Sequence, residues 1–198
     1  MKFDARALYE AQRASFDLLK NLPADNVYKV KPNNVTMDAR IQQELVWQNT
    51  QNVYIFNFGT NAPAPATVGG IQLNNVILGE NNILCMYGIS IYFGQNASAT
   101  NRIYRSYNIT VNDGALYNGE MSMKLESNTP IEKMDMMGFR DEGDFIQSAG
   151  LSLINPFRVF TGRVATVQVI IQLPVVAGFA LTPDMVISCR LHGALGLA

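Results

Sequence analysis

The sequence predicts a mainly β protein: an antiparallel β-sandwich, jelly-roll-like, with an amphipathic helix at its N-terminus. Three observations lead there. From about residue 27 onward, apolar and polar residues alternate in long runs. That period of two belongs to strands with one face in a core and one toward a polar environment. Between those runs no helical pattern intervenes, so the crossover helices that parallel strands need are missing. Residues 3–22 alone repeat at three- and four-residue steps. The chain of 198 residues suits one domain with a real core, here a helical arm over 1–24 and a sandwich over 25–198.

The leading helix is read from Phe3, Ala7, Ala11, Ala14, Leu18 and Leu22, with Leu8, Phe16 and Leu19 widening the stripe. Asp4 can cap its start, and Asn21 followed by Pro23 ends it. Such a helix can pack on its own domain or reach a neighbouring subunit.

The strands follow in order. Ile41, Gln43, Leu45 and Trp47 oppose Gln42, Glu44 and Gln48. Ile83, Cys85, Tyr87, Ile89, Ile91 and Phe93 are expected on one face. Tyr117, Met121, Met123 and Leu125 oppose Asn118, Glu120, Ser122 and Lys124. Val167, Val169, Ile171 and Leu173 oppose Thr166, Gln168 and Gln172. Met185, Ile187, Cys189 and Leu191 oppose Ser188, Arg190 and His192. Further strands are expected at 27–31, 53–58, 71–78, 103–111 and 157–161. Turn-rich loops are expected at 59–70, 93–101, 126–145 and 173–184, where Asn, Gly and Pro accumulate.

Composition narrows the function. Hydrophobic residues make up 48% of the chain and charged ones only 16%, with a net charge of −1. A phosphate-binding protein would carry a basic excess or patch, so no nucleic-acid partner is expected. A surface with so little charge suits a protein that packs against neighbours. No apolar run is long enough to span a membrane, and the start, MKFDARALYEAQ, lacks the apolar segment of a signal peptide. The chain therefore reads as made in a cytoplasm. Sequons at Asn34, Asn96 and Asn108 are then chance matches. Cys85 and Cys189 fall on apolar strand faces and read as buried thiols, although a disulfide between distant strands stays open.

Chemistry has few places to reside. The one histidine, His192, would have to serve any Ser-His-Asp or Cys-His mechanism, and its near neighbour Cys189 points to the other face. Zinc-ligand spacing and Gly-rich phosphate loops are absent from the sequence, and neither cofactor nor catalytic residue is expected. The segment KMDMMGFRDEGDF (133–145) is the remaining candidate. Asp141, Glu142 and Asp144 could touch a cation or supply a hydrolase's carboxylates, or form a solvated turn paired with Arg140 or Lys133. Met134, Met136, Met137 and Phe139, near Ile131, make the segment apolar enough to pack on a surface, its own sandwich or an adjacent subunit.

The helix FDARALYEAQRASFDLL, the strands ILCMYGISIYF and ATVQVIIQL, and the Asn/Thr/Ala-rich loops together resemble a virion structural protein of a bacterial virus. The family in question is β-sandwich or jelly-roll capsid or capsid-associated proteins. That resemblance implies self-assembly without enzymatic activity, a place in the virion, and contacts with itself and other virion proteins. Subunit contacts would fall on Phe3, Leu8, Phe16, Leu18, Met134, Met136, Met137, Phe139, Leu195 and Leu197. A second expectation is a glycan- or receptor-binding sandwich that uses Tyr104, Tyr107 or Tyr117. A third is a hydrolase built on Asp141, Glu142 and Asp144.

Overall fold

Alternation resolves into two antiparallel sheets that share one core. The computed structural model describes residues 5–22, 31–46, 52–58, 67–68, 71–72, 82–94, 118–136, 151–161, 167–174 and 186–197. Helix α1 (Ala5–Lys20) and a 3-10 turn at Pro32–Asn34 precede the strands β1 (Val35–Val46) and β2 (Val53–Asn57). A small hairpin of β3 (Thr67–Val68) and β4 (Ile71–Gln72) follows. Then come β5 (Asn82–Gly94), β6 (Glu120–Leu125), β7 (Asn128–Asp135), β8 (Leu151–Thr161), β9 (Val167–Gln172) and β10 (Val186–Leu197).

One sheet has the order β1-β10-β5-β8 and the other β2-β9-β6-β7. If these eight long strands are counted in chain order, the sheets read 1-8-3-6 and 2-7-4-5. Successive long strands therefore lie in different sheets, except β6 and β7, which form a hairpin. The core lies between the sheets. Ile41, Leu84, Met86, Ile89, Ile91, Phe93, Ile187, Cys189 and Leu191 come from the first sheet. Tyr54, Phe56, Met121, Met123, Val167, Val169 and Ile171 come from the second. The predicted mainly β sandwich with its leading helix is thus the fold observed.

Four local expectations are corrected. The helix does not use the stripe through Ala14 and Leu18, which are exposed. Its inward face runs through Leu8, Ala11, Gln12, Ser15, Phe16, Leu19 and Leu22, with Ser15 and Leu19 fully buried. A serine hides there because its hydroxyl donates to the Ala11 carbonyl one turn back, at 2.9 Å. Asp4 lies outside the described residues.

The second correction concerns β5. The residues Ile83 to Phe93 do not share a face. A register shift between Met86 and Gly88 changes the parity of the strand. Before it, Ile83 and Cys85 face outward and pack with Leu19 and Ala194 under α1. After it, Ile89, Ile91 and Phe93 face the core between the sheets. Cys85 and Cys189 therefore lie in separate apolar clusters, and both are free.

The third correction is β7, within the segment read as a loop over 126–145. Residues 128–135 form an edge strand of the second sheet. Pro130 is tolerated at an edge, where its missing N–H costs no ladder bond. The fourth lies in the loop over 59–70, where Thr67 and Val68 pair with Gln72 and Ile71. The strand expected at 157–161 is the end of the longer β8. Of the strand expected at 27–31 only Lys31 is described, and it lies outside any strand; the strand expected at 103–111, and Trp47, Tyr117 and Met185, lie outside the described residues.

Candidate functional site

The outer face of the first sheet carries a row of hydrogen-bonded polar groups whose pairing the sequence did not reveal. Its members alternate along three neighbouring strands. Asp38, Arg40, Gln42 and Glu44 come from β1, and Ser188, Arg190 and His192 from β10. Tyr87, Ser90 and Tyr92 come from β5. The antiparallel register sets Arg40 opposite His192, Gln42 opposite Arg190, and Arg190 opposite Ser90.

His192 faces Gly88 across the strands. A glycine leaves space there, and the imidazole reaches diagonally to Ser90, with Oγ to Nε2 at 2.8 Å. The Tyr87 ring lies 6.3 Å from the imidazole. Tyr87 donates its hydroxyl to Asp38 Oδ1 at 2.8 Å and accepts from Gln12 Nε2 of the helix at 3.2 Å. Arg40 donates to Asp38 Oδ2 at 3.2 Å. Further along, Gln42 donates to Glu44 and Ser188, and accepts from Arg190 Nε at 2.6 Å. The Arg190 guanidinium lies 5.0 Å over the Tyr92 ring.

Burial governs the electrostatics. It pushes the His192 pKa down to about 4, with Arg40 and Arg190 adding to the depression and Asp38 opposing it. The imidazole is therefore neutral at pH 7. Burial also pushes the Tyr87 phenol up, so it stays protonated and donates.

The Ser90–His192 pair looks like half of a nucleophilic site, but its surroundings are those of a structural bond. Asp38, which could have completed a relay, gives one oxygen to Tyr87 and the other to Arg40. Ser90 has no exposed surface and His192 only 7%. A hydrolytic serine must reach a carbonyl carbon, and this one is closed to substrate. His192 does lie on the face away from Cys189, as the alternation requires.

The other candidate residues scatter. Asp141, Glu142, Asp144, Met137 and Phe139 lie outside the described residues, as do Phe3, Tyr104 and Tyr107. The start of the methionine-rich segment packs on its own sandwich. Met134 and Ile131 border the main core and Met136 is fully buried in it. Met136 therefore has no surface to offer a neighbour, which corrects its place among the subunit contacts. Its sulfur fits because Gly119 lies beside it; a Cβ at Gly119 would stand 3.1 Å from that sulfur and 2.6 Å from the Gln172 carbonyl oxygen. Lys133 pairs with Glu120 across the hairpin. Leu8 and Phe16 lie half-buried on the helix's inner side, while Leu195 packs at the edge of the core. Of Leu197 only the strand position is described. Leu18 is exposed, together with Tyr9, Ile55 and Leu153. Among the described residues, no group of three His, Cys, Asp or Glu is placed to hold a metal, and no helix is long and apolar enough to cross a membrane.

No protein-family model, curated protein or solved structure matches this chain.

Proposed function

We propose that this chain is a structural subunit of a viral particle, a capsid or capsid-associated protein that acts by self-assembly and subunit contacts rather than by catalysis. The observation that carries this reading is the strand order, 1-8-3-6 in one sheet and 2-7-4-5 in the other. That interleaving supports a jelly-roll reading of the sandwich, an architecture used by shell subunits and by lectins. Fold alone does not choose between those uses. The low charge favours packing against neighbours over sugar recognition. The self-contained bonding of the polar network favours structure over chemistry.

Sedimentation velocity on the purified chain over a wide concentration range tests the reading. A large homo-oligomer, or recruitment into a shell with co-expressed virion proteins, is expected. A compact monomer at every concentration, with no recruitment, overturns it.

A further inference from the structure

Two apolar clusters sit on opposite faces of the first sheet, and they differ greatly in kind. The cluster between the sheets draws on both sheets and is built from large side chains. The one under α1 holds Leu19, Ile83, Cys85 and Ala194, with Phe16, Leu22 and Val35 at its rim. The sheet backbone separates the two. Leu19 is the only apolar side chain of the helix that is fully buried.

The polar groups on the sheet are paired without the helix. Tyr87 donates to Asp38, and Ser90 bonds His192. The helix adds Gln12 on the Tyr87 oxygen and Ser15 on the Cys85 thiol. Ser15 keeps its bond to the Ala11 carbonyl within the helix. Water can replace the Gln12 contact at Tyr87, whose own bond to Asp38 stays within the sheet when the helix leaves. The helix also carries its own support: Arg6 with Glu10 and Arg13 with Asp17 are both i,i+4 pairs, and Lys20 sits over the Phe16 ring.

From this we infer that α1 is a latch that leaves the sheet as a unit while the sandwich stays closed. Stability is divided between an inner unit, the two sheets, and an outer one, the helix on its seat. Lifting uncovers the strip Ile83–Cys85–Ala194 beside Tyr87. Cys85 is then the reporter of the latch, and Cys189, sealed between the sheets, is the reporter of the sandwich. In the closed state burial raises the Cys85 pKa to about 11 and pushes Cys189 up as well, so neither thiol reacts without an opening. This inference does not depend on the assembly reading.

The test is timed modification of the intact chain with a small aromatic disulfide at pH 8, followed by peptide mapping of both cysteines in the same sample. Cys85 is expected to react at least tenfold faster than Cys189. Leu19→Ala should speed Cys85 about tenfold and leave Cys189 unchanged. The milder Gln12→Ala, which keeps the apolar seat, should speed Cys85 by a smaller factor. Equal rates for the two cysteines in the unaltered chain overturn the inference, because the helix would then come off only when the sandwich opens. An acceleration of both cysteines together by Gln12→Ala overturns it equally.

Discussion

His192 is where a single residue gives the molecule a pH dependence. Its folded pKa of about 4 lies below its ordinary value of 6.5. The unfolded chain therefore binds a proton that the folded chain refuses across that window. Stability from this group is complete above about pH 6.5 and is lost as the pH falls toward 4. The shift corresponds to at most about 3 kcal/mol. His192→Gln keeps a hydrogen-bonding side chain near Ser90 and cannot titrate. Urea unfolding at pH 7.5, 6 and 5 should show the unaltered chain losing stability relative to the variant. Parallel curves would show that His192 is not buried as described. At the β6–β7 turn, Glu126 has φ 49, in the left-handed region where a side chain is strained.

At the scale of elements, the bulges decide what alternation cannot. Strand faces were legible in β6 and β9, because their burial follows period two from end to end, and in β10 because its polar residues Ser188, Arg190 and His192 alternate with Ile187, Cys189 and Leu191 although nearly all of them are buried. In β5 the same signal misled. Both faces of that strand are apolar before the register shift at Met86–Gly88, so the sequence carries no contrast to mark the change of parity. β7 was hidden for a related reason. It is an edge strand with mostly exposed residues, and an exposed strand reads as a loop. The helix was legible as a helix, and Leu8, Ala11, Phe16, Leu19 and Leu22 of its inner face were legible with it, whereas the polar Gln12 and Ser15 were not. Nor could the Ser90–His192 pair be found by spacing, since 102 residues separate the two and only the pairing register joins them. Gly193 marks the corresponding shift in β10. A Cβ there would stand 2.5 Å from a Leu84 methyl and 2.7 Å from the Cys85 carbonyl oxygen. Backbone cannot step aside cheaply, so Gly193→Ala should cost about 1–3 kcal/mol. A denaturation midpoint unchanged by this substitution would mean that β10 and β5 are not so closely apposed.

At the scale of the whole molecule, the two sheets must be joined where their strands part. β1 and β2 are consecutive, yet each is the edge of a different sheet. Gln43 bridges them. It lies in the core-facing row with Ile41 and Leu45, where a polar side chain is costly unless bonded. Its Oε1 accepts from the Asn57 N–H at 2.8 Å, and its Nε2 donates to the Asn57 carbonyl. One side-chain amide thus imitates a strand partner on the outer side of β2, while Asn57 also lies in register with Gln168 of β9. A sheet edge that loses such a cover invites strands from other copies, a hazard that grows with concentration and matters for a chain proposed to assemble in order. Gln43→Leu keeps the volume and removes both bonds. It should cost about 1–3 kcal/mol, since it strands a backbone donor and an acceptor. The specific mark is local: the Asn57 amide should lose its protection from hydrogen exchange, while the Tyr54 and Phe56 amides keep most of theirs. The variant should also form disordered aggregates at concentrations where the unaltered chain does not. If Asn57 stays protected in Gln43→Leu, another group holds that edge and Gln43 is not what closes the sandwich there.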